Sequence, residues 1–165
     1  MPYVMLAAVL VVAIVVISVY NELYILRKRA EEAFSLLDVY YKTRCAVAVD
    51  FAAILKDKFE KECRMLEIVA ASECKKALTY PSFERINSEH KLSALLSQLV
   101  SLSESESFSC AEYKKMMAEL DGVKEEILNA EKNYNAAAKA FNIKKEGAVP
   151  SLVSAMFGFK RMPII

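Results

Sequence analysis

The chain has 165 residues, with 22 Lys and Arg against 21 Asp and Glu and a formal charge of +1. A balance so near neutral argues against a nucleic-acid binder, which would carry a basic excess on one face, and the length suits one domain. Hydrophobic content is 55% and mean hydropathy +0.22, high for a soluble protein, but residues 1–20 hold no Lys, Arg, Asp, Glu or His. All side-chain charge therefore belongs to the remainder.

The first predicted element is "YVMLAAVLVVAIVVISVY", Tyr3–Tyr20. Eighteen residues make a helix of roughly 27 Å, close to the ~30 Å hydrocarbon core of a bilayer. Tyr3 at one end and Tyr20 and Tyr24 at the other stand where interfacial aromatics are favoured. A cleaved signal peptide would want a basic start, a shorter apolar core and a small-residue cleavage site, none of which is present. The expectation is a retained transmembrane helix. Arg27, Lys28 and Arg29 lie just past the span and no Lys or Arg precedes it. The positive-inside rule then places the N-terminus outside and the rest in the cytoplasm at the cell membrane.

Beyond the span, proline occurs only at positions 81, 150 and 163, and glycine at 122, 147 and 158. No run alternates like a strand, so the prediction is all-α. Leu23, Leu26, Ala30, Phe34, Leu37 and Tyr41 step by three and four, giving an amphipathic helix that leaves the membrane without a break. Phe51, Ala52, Leu55, Phe59, Leu66, Val69 and Ala70 carry the pattern to about Leu78. A single helix over 22–78 would stand roughly 85 Å tall with too few partners for its apolar stripe. Packing therefore favours a reversal or sharp bend at Arg44–Asp50, although those letters carry no turn chemistry. Residues 79–90 read as a connection, with Pro81 and Asn87 as breakers and Ser88 as N-cap. Leu92, Leu95, Leu96, Leu99 and Leu102 share one face of the next helix, and 103–110 is a polar turn. The last long helix runs from about Ala111 to Lys145, with Tyr113, Val123, Ile127, Ala130, Tyr134, Ala138 and Phe141 among its inward residues. The domain plan is thus 1–26 for the span, 27–145 for a helical bundle and 146–165 for a tail.

Little in this pattern points to chemistry. His90 is the lone histidine and sits in the expected polar connection. A di-iron bundle would need Glu-x-x-His on two helices. Cys45, Cys63, Cys74 and Cys110 contain no Cys-x-x-Cys pair, so buried, reduced thiols are preferred to a zinc site. There is no Gly-rich phosphate loop. The carboxylate pairs Glu31/Glu32 and Glu125/Glu126 read as solvated faces. No catalytic, cofactor-binding or metal site is expected, and no small-molecule substrate is evident. The expected partners are the lipid bilayer and an unidentified protein.

One pattern stands apart: aromatic-Asn pairs at Tyr20-Asn21, Tyr134-Asn135 and Phe141-Asn142. The last two lie one heptad apart in an Ala-rich helix, so their rings share one stripe and their amides the next. Packing, with the amides fixing helix register, is preferred; a partner-binding groove is the other reading.

"YNELYILRKRAEEAF" from Tyr20 resembles the start of the LemA family domain, through Tyr20, Asn21, Leu23, Leu26, Arg27, Arg29, Glu31, Glu32 and Ala33. The match continues through Asp38, Val39, Lys42 and Arg44. "ILNAEKNYNAAAKAFN" resembles the family's late helix and "VPSLVSAMFGFKRMP" its tail. The resemblance is strong at both ends and thin between 57 and 110. It implies one N-terminal transmembrane helix followed by an antiparallel up-and-down four-helix bundle, with no assigned catalytic activity. A membrane-anchored, non-enzymatic scaffold or interaction module is the resulting expectation, with membrane-surface lipid binding or remodelling as the alternative. The family usually has a proline where this chain reads Ala46-Val47-Ala48-Val49-Asp50.

In the tail, Val149, Leu152, Val153, Met156 and Phe157 fall at amphipathic spacing in a short helix begun by Pro150. With four antiparallel helices the tail ends beside the bilayer. Docking on the bundle through Phe157 and Phe159 is preferred to burial in the lipid interface.

Overall fold

The computed structural model describes residues 2–74, 83–105 and 110–165, with side chains at 3–71, 89–104 and 110–165. The protein is all-α. The described residues contain five helices and no strand: α1 (Pro2–Leu55), α2 (Glu60–Cys74), α3 (Phe83–Ser105), α4 (Ala111–Lys145) and α5 (Ala148–Phe157). They divide between two compact units, one of Met1–Ala33 with Asn133–Ile165, the other of Phe34–Lys132.

α1 explains the missing breaker. It runs unbroken for 54 residues, roughly 81 Å, because nothing between Tyr3 and Leu55 interrupts a helix. Its first part buries nothing: an 18-residue window has a mean hydropathy of 2.8 and is 0% buried. From Leu23 onward a buried stripe begins.

In the second unit, four helices feed one core. α1 contributes Cys45, Ala48, Phe51, Ala52 and Leu55; α2 contributes Cys63, Leu66 and Ala70; α3 contributes Leu92, Leu96 and Leu99; and α4 contributes Tyr113. Each fully buried Leu or Phe is worth about 1.5–3 kcal/mol relative to exposure. The Phe51 and Tyr113 rings meet at 5.8 Å between centroids. At its far side the Ser103 and Tyr113 hydroxyls share a buried hydrogen bond of 2.8 Å.

The reversal expected at Arg44–Asp50 is not there. Tyr41, Cys45, Ala48, Ala52 and Leu55 are all buried and step by four, three, four and three, so the stripe passes through this stretch intact. The helix stops instead where Lys56, Asp57 and Lys58 offer no apolar side chain to bury. Lys58 and Phe59 both donate their amides to the Leu55 carbonyl, at 3.1 and 3.0 Å, and Cys63 N–H to the Phe59 carbonyl at 2.9 Å restarts the ladder. Glu60 and Glu62 in the first turn of α2 favour its positive end.

Three other boundaries move. α3 begins at Phe83, so much of the expected 79–90 connection is helical, Ser88 lies inside α3 rather than capping it, and His90 is an exposed helical residue. Its far end reaches Ser105, three residues into the expected polar turn; residues 75–82 and 106–109 lie outside the described set. α5 begins at Ala148 with Gly147 as N-cap, not at Pro150. Pro150 is its third residue, a place where a missing N–H still costs no helical bond.

Candidate functional site

The residues that converge most closely lie in the first unit, where α4 holds the C-terminal tail. α5 ends at Gly158, whose φ of 69° is left-handed. Glycine adopts that conformation without the clash a Cβ would bring. The Gly158 and Phe159 amides both reach back to the Ser154 carbonyl, the latter at 3.0 Å, and the chain is redirected along α4.

Two asparagines then grip it. Asn142 Nδ2 donates to the Met162 carbonyl at 2.8 Å, and Met162 N–H donates to Asn142 Oδ1 at 2.9 Å. Asn135 repeats the pattern on Ile165, at 2.7 and 2.9 Å. A carboxamide carries one acceptor and one donor group in the geometry of a peptide, so each asparagine stands in for a backbone partner. The spacing explains why both work together. Seven helical residues separate the two amides by about 10.5 Å, and three residues of extended chain from Met162 to Ile165 cover about 10 Å. Between the two rungs, Tyr134 Oη donates to the Pro163 carbonyl at 2.6 Å.

Side chains complete the grip. Phe159 is buried, its ring 6.2 Å from Phe141 and 5.6 Å from Tyr20. The Arg27 guanidinium carbon lies 5.9 Å from its centroid, within cation–π range. Phe157 packs against Tyr20 at 4.8 Å yet stays half-exposed. Lys144 Nζ meets Glu22 at 2.7 Å, so Glu22 has a basic partner that its own helix did not suggest. Burial works against ionisation of Glu31, but hydrogen bonds from Arg27 and Lys28 prevail and hold its carboxyl below the usual range.

The structure therefore brings together Tyr20, Tyr134, Asn135, Phe141, Asn142, Phe157 and Phe159, while Asn21 is exposed and outside the clamp. The amides of the two α4 asparagines hold the chain's own tail. Sequence reasoning missed the tail's side of the contact. Met162, Pro163 and Ile165 are held mainly through their backbones, which leave no signature in side-chain type.

The second unit has its own polar contacts. Tyr41 Oη donates to Glu131 at 2.9 Å; burial, then the Glu131 carboxylate, raises its phenol far above the ordinary range. Arg44 pairs with Glu89, donates to Ser93 Oγ at 2.9 Å, and lies 5.4 Å from the Tyr41 ring centroid. Arg44, Ser93, Ser97 and Ser101 also line an open groove of about 320 Å³. Cys45 and Cys63 are buried free thiols and Cys110 an exposed one; Cys74 lies outside the described side chains. Burial, then Glu67 and Glu62, pushes the Cys63 thiol up. Among the described residues no three His, Cys, Asp or Glu side chains are grouped to hold a metal ion.

Among curated proteins and solved structures, none matches the chain. The LemA family model matches residues 33–165, which takes in both asparagines, α5 and the tail and begins after the Tyr20–Glu32 stretch where the resemblance starts. With most of its length matched, the chain belongs to the LemA family.

Proposed function

We propose that the chain is a single-pass membrane protein whose helical bundle serves as a non-enzymatic scaffold or protein-interaction module at the cell membrane, with the N-terminus outside and the bundle cytoplasmic. The observation that carries the reading is α1. Its first 18-residue window has a mean hydropathy of 2.8 and buries none of itself, yet the same helix continues into a buried stripe. An apolar surface of that size is out of place in water and matched to lipid. Arg27, Lys28 and Arg29 on one flank only support the orientation.

The tail clamp supports the interaction role. Asn135, Asn142 and Tyr134 bond to backbone groups, a mode that recognises extended chain largely irrespective of side chain. Residues with that chemistry suit a protein that holds peptide segments, its own among them. Crosslinking in intact cells followed by identification of partners tests the reading. Recurrent membrane or membrane-proximal protein partners are expected. Recovery of the full chain in the soluble fraction after cell breakage would overturn it.

A further inference from the structure

We infer that α5 is a second membrane contact, lying flat in the lipid interface with its outer apolar face in the acyl boundary and basic side chains against anionic phospholipid headgroups. This rests on the membrane-anchored reading above and adds a specific lipid-binding element to it.

The helix is amphipathic in an unusual sense. Its protein-facing side is narrow: Val153 is 1% exposed and Ser154 2%. Its outer side carries Leu152 at 67% and Met156 at 73% exposed, with Val149 beside them. These fall at i, i+3 and i+7, one stripe of the helix. The expected docking residues were Phe157 and Phe159, and Phe159 is buried, but the stripe of Val149, Leu152 and Met156 faces away from the protein. Large apolar side chains grouped on one exposed face mark a surface that another apolar phase covers.

Position identifies the phase. Phe157, at the end of α5, packs 4.8 Å from the ring of Tyr20, and Tyr20 is the last residue of the apolar run. Phe159 is 5.6 Å from the same ring. Tyr20 belongs at the level of the headgroups, and so does the part of α5 that touches it. Lipid is thus already beside the exposed stripe, and no further partner has to be invoked to cover it. Charge agrees. Residues 20–33 and 141–165 hold seven Lys and Arg against four Glu, and Lys160, two residues after Gly158, is exposed. A basic excess within a Debye length of the bilayer favours anionic lipid.

The sequence contains no tryptophan, so a single introduced indole reports one site. The full chain carrying Met156→Trp is reconstituted into vesicles of phosphatidylcholine with or without phosphatidylglycerol, with bromine on the acyl chains. Val12→Trp, inside the apolar run, serves as the test of the anchor. Both indoles should be quenched by bromolipid, Met156→Trp most by shallow bromines and more strongly with phosphatidylglycerol, and both should resist aqueous acrylamide. Quenching at Val12→Trp with none at Met156→Trp would overturn this inference and leave the anchor standing. No quenching at either would sink the anchor first. Equal quenching of Met156→Trp in neutral and anionic vesicles would overturn the headgroup contact. To separate the helix from the affinity of the indole itself, Leu152→Ser with Met156→Ser should leave thermal stability unchanged and make Lys160 accessible to amine labelling in vesicles several-fold faster. Unchanged labelling would contradict the inference.

Discussion

Asn142→Ala removes one rung of the tail clamp. Asn142 is buried, and so is its partner Met162, so the two bonds at 2.8 and 2.9 Å are shielded from water. Each is worth about 0.5–1.5 kcal/mol net, and a buried group left unpaired costs about 1–3 kcal/mol more. The tail can escape part of that penalty by detaching, which limits the loss to about 2–3 kcal/mol. Detachment is a local opening, so its equilibrium should rise by roughly 30- to 150-fold. Amide hydrogen exchange reads it directly, because the Met162 and Ile165 N–H groups are the ones held by Asn142 and Asn135. Both should exchange about two orders of magnitude faster in the variant while the amides of α2 and α3 stay unchanged. Asn142→Asp should be at least as harmful, since a carboxylate accepts from Met162 N–H but opposes its carbonyl. Exchange at Met162 and Ile165 within twofold of wild type would refute the clamp.

Further outcomes follow from single features. Gly158→Ala meets no atom within 4 Å, so its cost is the left-handed backbone alone, about 1–2 kcal/mol, read as faster exchange at Phe159 with little change in the second unit. Leu66→Ala opens a cavity in the four-helix core and should cost about 2–5 kcal/mol in a denaturant titration; a loss under ~1 kcal/mol would mean the site is not packed as described. Glu31 has a folded pKa lowered from its ordinary 4.5, so its contribution is present above that value and is lost as pH falls through the lowered pKa. Glu31→Gln should therefore reduce stability near neutrality and converge on wild type in acid, where a constant difference would contradict the ion pairs to Arg27 and Lys28.

Much of this architecture was legible because helical periodicity is a strong signal over long uninterrupted stretches. The buried stripe from Leu23 to Tyr41 and the inward face of α4 from Tyr113 to Phe141 follow from spacing alone. The turn after Leu55 was not, because the height of one unbroken helix pointed to a reversal within Arg44–Asp50, where the residues carry no turn chemistry. Cys45, Ala48 and Ala52 keep the stripe continuous there, and the charged triplet at 56–58 ends it. At the candidate site, the heptad spacing of Asn135 and Asn142 marked the right residues, but what they hold was hidden. Their partners are backbone groups 20 and 30 residues later in sequence, and a backbone acceptor looks the same at every position. The outer face of α5 was less legible for a related reason. Amphipathic spacing shows that one face is apolar, and it does not say which solvent that face meets.

The claim at the centre of this account is that α1 spans the bilayer and puts everything after Arg29 on the cytoplasmic side. Cys110 is an exposed thiol well beyond the span, and so reports the side directly. Cells expressing the full chain are treated with a membrane-impermeant maleimide, intact or permeabilised, and the chain is recovered from alkali-washed membranes. Cys110 in the membrane-bound chain should be labelled only after permeabilisation. Labelling of Cys110 in intact cells, or release of the chain by the alkaline wash, would contradict the account.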